Sequence, residues 1–263
     1  MDMSAMQTFG EVKAWFLGQK LESIPFKESW LGYLEHNLPL YARLPDDLKV
    51  RLHQKIGQFI ATTYFESKVG LELTEEMILT VAGQACLLTV NHTGLPYENL
   101  NTVQLYPSSF PAEVREANAD GTISTRSVKR VGESWSSGTV VLAWDSVQHG
   151  ARDLYDGQNV TFHEFAHQLD QANGNTDGVP NLRDMEAYRT WAMVLADGLE
   201  ALSVDAAQGR ESVLDYYGAT NICEFFAVAT ESFFEEPRFM LERHPELYAE
   251  LRSFYQLDPI DWF

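Results

Sequence analysis

At 263 residues the chain is long enough to bury a substantial core, as one large domain or as two closely packed lobes. Its 38 Asp and Glu outweigh 19 Lys and Arg, for a formal net charge of −19, which argues against nucleic acid as a direct partner because phosphate binding needs clustered cations. No apolar run of about 18 residues occurs, so no transmembrane helix is expected.

The opening Met1-Asp2-Met3-Ser4-Ala5 lacks a basic region followed by an apolar stretch. No secretory signal is expected, and a cytoplasmic protein is the default. Residues 8–36 read as one or two helices, broken near Pro25. Leu48, Leu52, Ile56 and Phe59 recur at helical spacing and predict a helix from Leu48 to Phe65. Thr74 is a good N-cap for a second helix running to about Leu88. The middle of the chain turns strand-like. Thr102 to Tyr106 stops at Pro107, and Thr139 to Trp144 is rich in β-branched residues. Between them lies a turn-rich segment containing Asp120-Gly121. The basic run Arg126, Lys129 and Arg130 reads as a solvated loop. The last hundred residues return to helix, interrupted by Gly209, Gly218, Pro237 and Pro245. The pattern is α+β: a helical N-terminal part, a small mixed sheet, then further helices. The two cysteines, Cys86 and Cys223, form no metal pair and are expected as small buried side chains.

His163-Glu164-Phe165-Ala166-His167 carries the chemistry. At 100° per residue His167 lies about 40° around a helix from His163 and about 6 Å along it. Two imidazoles so placed can grip one Zn²⁺ at roughly 2.0–2.1 Å each. Glu164 falls beside the metal, where the general base for a zinc-bound water belongs. Asp156, Gly157 and Asn159 offer capping chemistry before this helix, and Asn173-Gly174 offers a stop after it. Phe162, Phe165 and Leu169 form the opposite, core-facing stripe. Asp170 lies about 20° off His163 around the helix and is a candidate to orient a ligand or a neighbouring loop. Residues 173–178, with Asp184 at the twelfth position, faintly resemble a calcium loop, but an ordinary polar loop is the better reading. His36, His53, His92, His149 and His244 have no ligand spacing among themselves.

A catalytic zinc keeps three protein ligands and one open position. Two residues compete for the third place. Glu186 follows His167 after 18 intervening residues, and Glu224 opens an apolar helix. Spacing alone does not separate them: Glu186 also suits a solvated helix face, and Glu224 also suits a capping box with Asn221. Glu231 shares the Glu224 helix face about 10 Å farther along. Both cannot easily reach one ion, so a solvent-facing or supporting role suits Glu231.

The string Tyr217-Gly218-Ala219-Thr220-Asn221-Ile222-Cys223-Glu224-Phe225-Phe226-Ala227 resembles part of the anthrax lethal factor catalytic domain. There a Tyr-Gly step precedes an Asn and a Glu-Phe-Phe-Ala helix. His163-Glu164-Phe165 and Asp170 also recur there. That resemblance implies a gluzincin site of His163, His167 and Glu224, with Tyr217 stabilising the oxyanion. Nearly the whole chain resembles the MtfA (Mlc titration factor A) family of bacterial zinc peptidases. The carrying segments are Gly70-Leu71-Glu72-Leu73-Thr74-Glu75-Glu76-Met77, Gln84-Ala85-Cys86-Leu87-Leu88, Leu105-Tyr106-Pro107, Trp144-Asp145 with Gly150-Ala151-Arg152-Asp153, and His163 through Asp170. Only the last is specific by itself; the shared order is the strong signal.

The resemblance implies a zincin-like (gluzincin) peptidase domain over residues 1–263, as a single domain or two packed lobes with the active-site cleft between them. It implies one Zn²⁺ per chain, aminopeptidase activity on peptide substrates, and binding to Mlc, a transcriptional repressor of glucose-uptake genes. In the expected mechanism Glu164 takes the proton of the zinc-activated water, Tyr217 steadies the oxyanion, and the strand from Val140 to Trp144 aligns the substrate. The alternative is a regulatory binding protein that sequesters a transcription factor, with weak or vestigial hydrolysis. A purely structural zinc fits less well, since such sites use four protein ligands, often Cys.

Overall fold

The computed structural model describes residues 23–117 and 123–263. Part of the expected opening helical stretch, and the N-terminal residues read for a leader, lie outside them. Two short helices, α1 (Leu31–Asn37) and α2 (Pro39–Arg43), lead into α3 (Asp46–Thr62). Asp46 and Asp47 in the first turn of α3 complement the positive end of its dipole. Leu48, Leu52, Ile56 and Phe59 line its buried face, as their spacing predicts.

This helix ends three residues earlier than expected. Thr63 is already extended, and Tyr64–Ser67 forms strand β1. Phe65 therefore belongs to a strand. Four residues carry no periodic signal; their partner, β2 (Thr102–Tyr106), is remote in sequence. Between these strands runs α4 (Glu75–Leu87), opened by Thr74, whose hydroxyl accepts from the Met77 N–H. Every residue from Met77 to Leu87 is buried, which marks a helix enclosed on all sides.

The segment read as turn-rich is a β-ribbon. Strands β3 (Phe110–Ala117) and β4 (Ile123–Arg130) pair antiparallel, from Phe110 opposite Arg130 to Ala117 opposite Ile123. The stretch from Ile123 to Arg130 is mostly polar in sequence, which hides such a ribbon from apolar alternation, and Asp120-Gly121 lies outside the described residues. Arg126, Lys129 and Arg130 accordingly belong to a strand, not to a loop.

Strands β5 (Gly132–Trp135) and β6 (Thr139–Ala143) complete a mixed sheet in the order β1-β2-β6-β5. β1, β2 and β6 are mutually parallel, and β5 runs antiparallel to β6 at the edge. Val140, Val141, Leu142 and Ala143 are buried, as befits a strand covered on both faces. The expected strands at 102–106 and 139–144 thus appear within one residue.

The chain then returns to helix: α5 (Trp144–Arg152), α6 (Val160–Asp170), α7 (Met185–Gln208), α8 (Ile222–Glu235), α9 (Pro237–Arg243) and α10 (Pro245–Tyr255). α6 packs against α8, β5 and α4. Its apolar stripe is buried as expected: Phe165 stands 4.9 Å from the Tyr97 ring and Phe162 stands 5.0 Å from Phe234, centroid to centroid. Buried apolar residues from the early helices, the sheet and the late helices join in one cluster. This packing clamps α6 between a sheet edge and α8, so what its polar face presents is held on both sides.

Candidate metal centre

Local sequence starts α6 where the chemistry needs it. Asn159 is extended, and its Oδ1 accepts from the Phe162 N–H at 3.0 Å, capping the helix four residues before His163. Beyond Asp170 the chain tightens into a 3₁₀ turn and stops at Gly174, whose φ of 89° favours glycine. Phe162, Phe165 and Leu169 anchor one face in the core. The other face leaves His163 and His167 with ring centroids 4.9 Å apart.

α8 supplies the third group. Asn221 caps it, its Oδ1 accepting from the N–H groups of Cys223 and Glu224. The Glu224 carboxylate faces the two imidazoles. Nε2 of His163 and Nε2 of His167 lie 3.0 and 3.2 Å from the same Glu224 oxygen, and ligand atoms of all three residues lie within 4.8 Å of one another. Ligands at roughly 2.0–2.1 Å around a tetrahedral centre stand about 3.3 Å apart. The donor set and its spacing therefore fit a divalent metal such as zinc. Glu186, the competing candidate, is exposed in the first turn of α7, capped by Asp184, which accepts from the Ala187 N–H. The Asp184 carboxylate serves a helix end, in keeping with a polar loop before it.

Glu231 stands one step behind the cluster. It is buried, and its Oε1 lies 2.7 Å from His163 Nδ1. A carboxylate accepts, so Nδ1 carries the proton and Nε2 keeps its lone pair for the centre of the cluster. Of the two roles weighed for Glu231, the supporting one is realised. Its other oxygen accepts from the Asn159 N–H at 2.5 Å. Asn159 Nδ2 reaches Gln84 Oε1, the Gly150 carbonyl and Glu235 Oε1 at 2.8, 2.9 and 3.0 Å. Gln84, Asn159, Glu231 and Glu235 are all buried. Sequence reading missed this network, although an Asn four residues ahead of the first His was visible as a cap.

The charges follow from burial and contact. Burial opposes ionisation of Glu224, but the two imidazoles against it hold its carboxyl well below the usual range. Burial would lower the His163 pKa, yet Glu231 and Glu224 raise it overall. Burial pushes the Glu164 carboxyl up against the pull of His163 and His167.

These groups line a cleft of about 1150 Å³. Glu164 is among the residues lining it. Tyr217, 54% exposed, donates its hydroxyl to Glu224 Oε1 at 3.4 Å, and its ring centroid is 5.9 Å from that of His163. It is a cleft residue, not a core tyrosine. The strand of the mixed sheet bordering the cleft is β5, through Gly132, Glu133 and Ser134. The Val140–Trp144 strand expected to align substrate is interior, flanked by β2 and β5, so its backbone hydrogen bonds are already spent. Lys129 and Arg130 stand on the cleft rim, with Arg130 paired to Glu133 at 2.9 Å.

Asp170 is fully buried and accepts from the Val179 N–H at 2.9 Å, so it holds the neighbouring loop and not a ligand. Cys86 is buried as expected, but Cys223 is only half-buried and borders the cleft. Burial and Asp170 push its thiol up to about 12, so it stays protonated. His53 and His92 serve Tyr41 and the Phe254 carbonyl, while His149 pairs with Asp156 at the cleft edge.

Among the described residues no helix is long and apolar enough to cross a membrane. The family described as glucose-regulated metallo-peptidase M90 matches residues 12–256. An uncharacterized protein of Synechocystis sp. is 38% identical over 239 residues, covering 90% of this chain and 86% of its own length. Mlc titration factor A of Serratia proteamaculans is 32% identical over 230 residues, 85% of each chain. Mlc titration factor A of Pectobacterium atrosepticum is 31% identical over 238 residues, 89% of this chain and 87% of its own. A His-His-Glu cluster lining a cleft, on a chain that these relatives match over 85–90% of its length, accords with one conclusion: the chain belongs to the M90 family of metallopeptidases, together with the Mlc titration factor A proteins.

Proposed function

We propose that the protein is a zinc-dependent peptidase of the cytoplasm, aminopeptidase-type, working as one zincin-like domain over residues 1–263 with one Zn²⁺ held by His163, His167 and Glu224. The observation that carries this reading is the convergence of those three side chains from two helices on the cleft. A bound zinc supplies Lewis acidity to the scissile carbonyl and acidifies a water.

The rest is the work of the chain. Glu164 lies one residue from His163, on the cleft side of α6. It takes a proton from the attacking water and returns it to the leaving amine. Burial favours its neutral form, and the paired imidazoles counter this, which suits a group that must both accept and release a proton. Tyr217 donates to the tetrahedral oxyanion; burial and Glu224 raise its pKa, so the donor proton is retained. The free edge of β5 receives an extended peptide by backbone hydrogen bonds.

The test is hydrolysis of aminoacyl anilides and N-terminally blocked peptides by zinc-loaded wild type and Glu164→Gln. Turnover in wild type alone supports the reading, and restriction to free N-termini supports the aminopeptidase type. Equal rates in the two proteins would remove Glu164 as the base.

A second function is supported by the names of the relatives: binding of the Mlc repressor, or another transcription factor, by the folded protein. In the alternative reading, this sequestration is the main role and hydrolysis is weak or vestigial. Glu164→Gln separates the two, since retained repressor binding with lost hydrolysis marks distinct activities.

A further inference from the structure

Gly132 opens the edge strand β5 where it meets the first half of α6. A Cβ built on it would lie 2.4 Å from Glu164 Oε1, 2.6 Å from Glu164 Cγ and 2.6 Å from Val160 Cγ2. Val160 and Glu164 are one helical turn apart and present one face to the strand. The backbone does not call for glycine here, because φ at Gly132 is not positive. Space does: the Glu164 side chain occupies the volume that any other residue would fill.

We propose that Gly132 is a positioning residue for hydrolysis, its missing side chain forming the slot that seats the Glu164 carboxylate beside the His163–His167 pair. This rests on the reading of Glu164 as the base. The three atoms nearest to a Cβ at 132 belong to Glu164 and Val160, not to His163, His167 or Glu224. Substitution therefore bears on the base and spares the metal-ligand set. Ordinary contact begins near 3.4 Å, so an alanine must move Oε1 from 2.4 Å to that distance. A reacting group displaced by about 1 Å loses roughly 10²-fold in rate. Glu164 is 6% exposed, with the helix on one side and the strand on the other, which leaves little room for a compensating rotamer.

The experiment is a double-mutant cycle. Gly132→Ala is expected to lower kcat about 10²-fold, leaving KM within about threefold and zinc affinity, read by competition with a chromophoric chelator, unchanged. In the Glu164→Gln background the same alanine is expected to cost less than about twofold, because the group it displaces no longer acts. Wild-type kcat in Gly132→Ala would overturn the proposal. So would an equal fractional loss in both backgrounds, which marks general damage. Where Gly132→Ala folds poorly, Gly132→Ala/Val160→Ala removes the contact at Val160 and keeps the one at Glu164. Persisting loss of kcat in that protein supports the slot, and restored wild-type rate overturns it. Failure of the proposed function itself reads differently: wild type would then show no turnover, or Glu164→Gln would match it.

Discussion

Glu231→Gln tests whether the buried network behind the cluster governs metal binding. The wild-type carboxylate accepts from two donors with separate oxygens, His163 Nδ1 at 2.7 Å and the Asn159 N–H at 2.5 Å. A glutamine has the same shape but a single oxygen. One of the two donors must then face an amide NH₂. If the histidine loses its acceptor, ring orientation and ligand basicity both suffer. Loss of such a partner typically costs 10–100-fold in metal affinity, or about 1.4–2.7 kcal/mol. If the backbone N–H is orphaned, the cost moves to stability, about 1–3 kcal/mol for a buried donor. Chelator competition measures the first, and calorimetry of the metal-free protein measures the second. Glu186→Gln is the control, an exposed residue expected to change neither. A zinc affinity within threefold of wild type, together with an unchanged melting temperature, would refute the argument that Glu231 orients His163.

Tyr217→Phe is expected to lower kcat by about 10²–10³-fold through loss of the oxyanion donor. The ring is 54% exposed, so the melting temperature should scarcely move; a kcat near wild type would assign the hydroxyl no part in turnover. Glu235 is buried with one oxygen on Asn159 Nδ2 and the other without a partner. Burial raises its carboxyl pKa well above 4.5. The folded protein thus holds that proton more tightly than the unfolded chain, and this group's contribution to stability, full below pH 4.5, is lost as pH rises through the folded-state value. Glu235→Gln should flatten the fall in melting temperature as pH rises above about 4.5; identical profiles would show that Glu235 folds ionised.

Much of the site was legible because it lies within one helix. The spacing of His163, Glu164 and His167, the Asn159 cap, the Gly174 stop and the stripe of Phe162, Phe165 and Leu169 are local features fixed by 3.6 residues per turn. Thr74 and the periodic face of α3 were readable for the same reason. The strands were readable only where β-branched residues cluster, as in β6. The periodicity of α3 runs on into β1, and the β3–β4 ribbon reads as turns, since a ladder is stabilised by partners distant in sequence.

The sequence by itself determined that two imidazoles and a carboxylate project from one helix into a common space, because backbone geometry dictates it wherever that helix forms. It could not choose between Glu186 and Glu224 by spacing. Only the packing of α8 against α6 brought the Glu224 oxygen to both imidazoles and left Glu186 exposed. The same packing set Glu231 behind His163, and the sheet order made β5, not β6, the edge strand lining the cleft. Contacts between elements depend on how their buried faces interlock, a property of the whole core that no local window of sequence contains.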